Sequence, residues 1–132
     1  MLHHLSFGVS DIERSAAFYD AVLAPLGYGR VWEDLRSGEV DQAVGYGPPG
    51  GGDKLAIKYR PGNQRPPGPG FHLAFVSQSR QAVVEFYNAA LEHGGSDNGV
   101  PGLRAHYGPH YYAAFVVDPD GHHIEAVFNS AE

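Results

Sequence analysis

Cysteine is absent from the 132-residue chain, which excludes disulfides, thiolate metal sites and a cysteine nucleophile, and fits a cytoplasmic protein. Basic residues are scarce: 9 Lys and Arg stand against 15 Asp and Glu, for a formal charge of −6. With no basic cluster to neutralise phosphates, a nucleic-acid partner is not expected. No stretch approaches the ~18 consecutive apolar residues of a membrane span, and the first residues lack a basic segment followed by an apolar run. The chain reads as soluble, with no membrane partner.

Histidine, by contrast, is plentiful, with eight copies. In a chain without thiols these imidazoles are the available soft nitrogen ligands. The length fits a single domain over residues 1–132 with a core of its own.

That domain reads as a duplication. Sliding the sequence over itself by 68 positions sets His4 on His72, Leu5 on Leu73, Phe7 on Phe75, Phe18 on Phe86, Tyr19 on Tyr87, Leu23 on Leu91 and Gly27 on Gly95. The matches fall on packing positions, one glycine and one histidine, as an internal repeat requires. Two copies of one unit commonly pack about an approximate two-fold axis, which would bring His4 opposite His72.

In the first copy, Leu5, Phe7 and Val9 alternate with His4, Ser6 and Gly8, the period-two pattern of a half-buried strand. Ser10-Asp11 precedes a helix in which Ile12, Ala16, Tyr19 and Leu23 recur at helical spacing, with Ser10 and Glu13 placed as a capping box. Pro25 and Gly27 end it. Short β-rich runs follow over Tyr28 to Leu35, Val40 to Tyr46 and Lys54 to Tyr59, completing a β-α-β-β-β module over about 1–60. The Pro- and Gly-rich segment 61–70 reads as a semi-rigid linker. A second module over about 71–130 repeats the order: a strand from Phe71 to Val76, a helix from Ser79 to His93, then strands at Leu103 to His106, Tyr111 to Val117 and His122 to Phe128. Asp118-Pro119-Asp120-Gly121 makes the turn before the last. The fold class is α+β, two tandem β-α-β-β-β modules forming a curled mixed sheet.

His4, His72 and Glu125 all fall on polar faces of these strands. Two imidazoles and a carboxylate suit one divalent transition metal, and three protein ligands leave positions open for water and substrate. Iron, zinc, manganese, nickel and cobalt all accept such donors.

The stretches His4-Leu5-Ser6-Phe7-Gly8-Val9-Ser10-Asp11, Ser15-Ala16-Ala17-Phe18-Tyr19 and Phe115 to Glu125, with its Asp-Pro-Asp-Gly turn, resemble the vicinal oxygen chelate superfamily. That family includes glyoxalase I, extradiol dioxygenases, methylmalonyl-CoA epimerase, fosfomycin-resistance proteins and bleomycin-binding proteins. The resemblance implies paired modules whose sheets curl around a metal-containing cavity, with His4, His72 and Glu125 at the family's metal positions. It also implies a small oxygen-rich substrate bound through adjacent oxygens, with dioxygenase or lyase chemistry, and a homodimer. The modules then pair either within one chain or between two. Glyoxalase I-like sites carry a second carboxylate where this chain has Ala56, so the remaining set looks more like the extradiol dioxygenases or fosfomycin-resistance enzymes. A protein that sequesters a ligand without turnover, in the manner of bleomycin-resistance proteins, is the alternative.

Further candidates surround this set. Lys58 shares the Ala56 face and is expected to bind a substrate carboxylate or phosphonate. His106, Tyr107, His110, Tyr111 and Tyr112 form an aromatic, polar cluster ahead of a strand; His106 and His110 are read as substrate-binding, Tyr111 and Tyr112 as proton donors. His123, two residues from Glu125 on its face, is the third catalytic candidate.

Overall fold

The computed structural model describes residues 1–62 and 66–131. Its elements run β1 (Leu5–Val9), α1 (Ile12–Leu23), a short 3₁₀ turn (Ala24–Leu26), β2 (Gly29–Asp34), β3 (Ala43–Gly47) and β4 (Leu55–Tyr59). The second half gives β5 (Leu73–Val76), α2 (Arg80–Glu92), β6 (Ser96–Leu103), β7 (Tyr111–Val117) and β8 (His123–Asn129). The linker segment expected over 61–70 falls partly outside the described residues.

Each half builds a four-stranded mixed sheet, ordered β1-β4-β3-β2 and β5-β8-β7-β6. In both, the first strand pairs in parallel with the fourth and the other ladders are antiparallel. The shared order is the repeat expressed as structure. The two sheets remain separate rather than merging into one.

Local sequence explains the helices. Ile12, Ala16, Tyr19 and Leu23 of α1 are buried on one face, the stripe that 3.6-residue periodicity demands. The cap differs from the expected capping box. Asp11, not Ser10, is the N-cap, its carboxylate accepting from Arg14 N at 3.1 Å. Ser10 is thereby left to bond elsewhere. In α2 Ser79 caps, accepting from Ala82 N at 3.0 Å.

α1 packs on the first sheet, α2 on the second, and the helices pack on each other. Phe18, Tyr19, Val22, Ile57, Val83, Phe86 and Ile124 meet in one core at 0–1 % exposure, each fully buried large apolar side chain contributing roughly 1.5–3 kcal/mol. The sheet faces opposite the helices point outward, and these carry His4, Ser6, Ala56 and Lys58 in one module and His72, His123 and Glu125 in the other.

The Asp118–Gly121 turn clasps one module to the other. Asp120 accepts from Ser10 N at 3.2 Å, Ser10 Oγ at 2.5 Å and Ser15 Oγ at 3.3 Å, with Arg14 at 3.6 Å. Asp118, 4 % exposed, accepts from the Tyr19 hydroxyl at 2.7 Å and faces His122 Nδ1 at 2.9 Å. The His122 ring, 1 % exposed, stacks on Phe7 of β1 with centroids 4.2 Å apart. Burial first, then the Asp118 carboxylate, raises the Tyr19 hydroxyl well above its ordinary value.

One strand is displaced from its expected position. The segment read as a loop from Gly94 contains β6 over Ser96–Leu103, whereas 105–107 form a turn. β6 is a sheet edge with register shifts at Asp97/Gly99 and Gly99/Gly102. Edge position and bulges tolerate the Asn, Pro and Gly that hide it.

Candidate functional site

The outward face of the second sheet opens into a cavity of about 400 Å³ whose lining includes His72, Tyr111, Phe115, His123 and Glu125. Strand register sets this face. Glu125 on β8 stands opposite Ala74 of β5 and Phe115 of β7, while Ile124 and Ala126 turn into the core at 1 % and 0 % exposure. His72, immediately before β5, shares the side of Ala74.

Glu125 is 1 % exposed. Its Oε1 lies 3.2 Å from His72 Nε2, and the His72 side chain is 54 % exposed. Its Oε2 accepts a short hydrogen bond from the Tyr111 hydroxyl. Burial, then the bond to Glu125, pushes the Tyr111 hydroxyl up to about 12, so it remains a proton donor at neutral pH. A buried carboxylate thus has one oxygen held by tyrosine and the other turned to an accessible imidazole.

The remaining sequence candidates are dispersed. His123 lines the cavity and is exposed. Tyr112, expected beside Tyr111 as a proton donor, lies on the opposite face of β7, packed against the core with Arg80 Cζ 5.1 Å from its ring centroid; adjacent strand residues point to opposite faces. His106 is exposed on the turn, its ring tilted against Tyr107 with centroids 4.1 Å apart, and the Tyr107 ring in turn stands 5.1 Å from that of Tyr111. His110 is exposed on the same turn and, like His106, is absent from the cavity wall. Tyr107, Phe115 and Asn98 do line it. Phe115 was legible as the residue in phase with Tyr111 along β7, whereas Asn98 sits on irregular β6 and left no periodic signal.

His4 stands apart from His72 and Glu125. It lines a separate cleft of about 180 Å³ with Lys54 and Leu73, and its Nδ1 is 2.8 Å from His3 Nδ1. Among the described residues no three His, Cys, Asp or Glu side chains converge as a metal cluster. Lys58 is half-buried on the outward face of the first sheet, paired in register with Gly8 and Ala43.

The first sheet's counterpart of the Glu125 row runs Ser6, Ala56, Gly45, Trp32. A Cβ on Gly45 would stand 2.2 Å from Trp32 Nε1, so the indole lies directly on the glycine. Ala56 beside it is 2 % exposed. Where the second module presents a carboxylate, the first presents a covered methyl group.

Comparison with known proteins agrees with this architecture. The family model described as Glyoxalase/Bleomycin resistance protein/Dioxygenase superfamily matches residues 1–126. A glyoxalase/bleomycin resistance protein from Albidiferax ferrireducens T118 has a similar structure, with 30% identity, a TM-score of 0.75 and coverage of 96% of this chain and 97% of that one. A glyoxalase-related enzyme from Fulvimarina pelagi matches at 24% identity and TM-score 0.68, over 98% of this chain and 88% of that one. A V278E glyoxalase I mutant from Zea mays matches at 23% identity and TM-score 0.74, over 96% of this chain but 45% of that one. The last two likenesses speak to fold alone. Among curated proteins none matches the sequence.

Proposed function

This chain belongs to the Glyoxalase/Bleomycin resistance protein/Dioxygenase superfamily, and on that premise we propose that it is an enzyme using one divalent metal ion at His72 and Glu125 to act on a small oxygen-rich substrate. What supports this most directly is the 3.2 Å separation of His72 Nε2 and Glu125 Oε1. Two donors each ~2.0–2.2 Å from one divalent ion would stand about 2.8–3.6 Å apart. The donor chemistry also fits, an imidazole and a carboxylate whose second oxygen is already occupied by Tyr111. When bound, such an ion acts as a Lewis acid on two adjacent substrate oxygens.

The chain's own residues then have distinct tasks. Tyr111 holds the carboxylate in one orientation and keeps its proton. His123, on the accessible rim, is placed to exchange a proton with a bound ligand. Phe71 and Phe115 line the same cavity and favour a planar ligand between them. With Ala56 in place of a second carboxylate, no pair of glutamates is available to shuttle a proton across the substrate, so dioxygenase or a different lyase chemistry suits the site better than the glyoxalase I reaction.

His4 is the third donor in this reading, supplied by a second copy. Within one chain it lines a cleft that reaches Leu73 and Ala74 of β5 but neither His72 nor Glu125, while Val76 farther along the same β5 face is exposed. A homodimer pairing one chain's first module with the other's second joins the sets.

Metal content by mass spectrometry after anaerobic purification tests this, on the parent and on His4→Ala, His72→Ala and Glu125→Ala. Each variant is expected to lose metal. Co-refolding His4→Ala with His72→Ala should restore about one quarter of the sites, because half of the dimers are mixed and each mixed dimer has one intact site. A parent that binds no supplied metal, or variants that retain it, refutes the site; loss without restoration refutes the shared arrangement. A metal-free parent that binds planar ligands tightly would turn the reading to sequestration.

A further inference from the structure

The turn between β6 and β7 holds an arginine that no role above uses. Arg104 donates from Nη1 to Gly102 O at 2.8 Å and from Nη2 to Val100 O at 2.7 Å. Its Cζ lies 5.3 Å from the ring centroid of Phe115, a wall of the cavity. Its backbone N–H is tied to Tyr111 O at 2.8 Å. Among the described residues no carboxylate forms a salt bridge with it, whereas Arg14, Arg30 and Arg36 all have such partners.

The local backbone is shaped around this group. A Cβ on Gly99 or on Gly102 would stand 3.2 Å from one of the guanidinium nitrogens, and the two β6 register shifts fall at these glycines. The bulges that make β6 irregular therefore seat a guanidinium, fix it with two carbonyls and lay it on an aromatic face. Of the five N–H donors of an arginine, three remain for another acceptor. A cation so anchored surrenders little freedom on binding, and its planar fork matches an oxyanion.

We propose that Arg104, beyond Phe115 and outside the cavity's own wall, is the anion-recognition group for substrates that extend past Phe115, selecting those that carry a carboxylate or another oxyanion. The inference rests on the reading that the cavity beside Glu125 is the substrate site. Strand spacing sets the reach. β6 and β8 flank β7, so the guanidinium, anchored on β6 carbonyls, stands about two spacings, ~10 Å, from the β8 backbone at Glu125. The substrate's anionic group is therefore separated from its reacting oxygens by a ring or a short chain.

The probes are benzoate, phenylphosphonate and uncharged benzamide, titrated by NMR into metal-free full-length protein as parent, Arg104→Met and Arg104→Lys. At fragment affinities in the ~10 mM range, benzoate or phenylphosphonate should bind the parent about tenfold more tightly than benzamide, as one charge-assisted hydrogen bond allows. Whichever anion binds better identifies the oxyanion class. Arg104→Met should abolish the preference, and Arg104→Lys should restore only part of it, since lysine keeps charge but cannot use two carbonyl anchors and the ring together. Equal binding of charged and uncharged probes, an undiminished preference in Arg104→Met, or no anion binding at all overturns the inference. Co(II) uptake by the parent reports separately on the metal reading: anion selection without Co(II) binding retains this inference and loses that one.

Discussion

Asp118 offers the sharpest test of how the two modules are held. Its carboxylate is 4 % exposed and accepts from Tyr19 Oη at 2.7 Å, His122 N at 2.8 Å and Asp120 N at 3.0 Å, with His122 Nδ1 at 2.9 Å. Asp118→Ala deprives all four groups of their acceptor. The Tyr19 hydroxyl, the His122 ring and the His122 amide are buried, and each stranded donor costs about 1–3 kcal/mol, whereas the part-buried Asp120 amide can recover water. The expected loss is about 3–5 kcal/mol, a large share of the roughly 5–15 kcal/mol available to a domain. Tyr19→Phe removes only the donor and should cost about 1.5–3 kcal/mol. Urea unfolding at neutral pH, followed by circular dichroism, gives both values, and the double variant closes the cycle with a coupling of at least about 1 kcal/mol. An Asp118→Ala loss below about 1 kcal/mol, or additive single effects, would refute the claim that this carboxylate joins the modules.

Two further outcomes are expected. Gly45→Ala places a methyl group where Trp32 Nε1 is 2.2 Å away, so the indole must swing off the sheet; because Trp32 is the only tryptophan, the emission should shift to longer wavelength, and an unchanged spectrum refutes the contact. Alkaline titration should destabilise the fold above about pH 10 by up to ~1.4 kcal/mol per pH unit for each buried tyrosine. Tyr19 and Tyr46 are held protonated chiefly by burial, each with a nearby aspartate. The unfolded chain then loses these protons first, ν_U falls below ν_N, and stability declines as pH rises. Tyr46→Phe should flatten the curve, and an identical slope rules out the linkage.

The sequence pattern carried the modules well because a repeat supplies its own check. His4 on His72 and Phe18 on Phe86 set one register, and both sheets adopt one strand order. Glu125 was readable from alternation with Ile124 and Ala126. Tyr111 and Tyr112 show where alternation was not carried far enough: with Val117 opposite His123 across the turn, only odd-numbered residues of β7 share the Glu125 face. β6 escaped because its residues serve bulges and an edge rather than a two-sided ladder. Arg104 escaped with it, since its partners are carbonyls of that irregular strand. Asp120 and Ser10 meet across 110 positions, a distance at which local capping signals are blind to the competing acceptor.

The separation of His4 from Glu125 follows from the same packing that creates the clasp. Each site residue lies on the sheet face opposite its module's helix, and the two helices pack against one another; His4 shares its cleft with Leu73 and Ala74 of β5 but not with His72 or Glu125. Any turn of one module against the other within a chain would strain the bonds of Asp120 to Ser10 and Ser15 and of Asp118 to Tyr19. Those bonds, with the shared apolar core, represent several kcal/mol. In the proposed homodimer a second copy would supply His4 while every clasp contact stays in place, and it would cover the exposed Val76, 57 % accessible beside the site. On this reasoning Asp118→Ala should loosen the modules within a chain and weaken metal retention at His72 and Glu125 only indirectly. His4→Ala should empty the site without changing the urea midpoint of the metal-free protein.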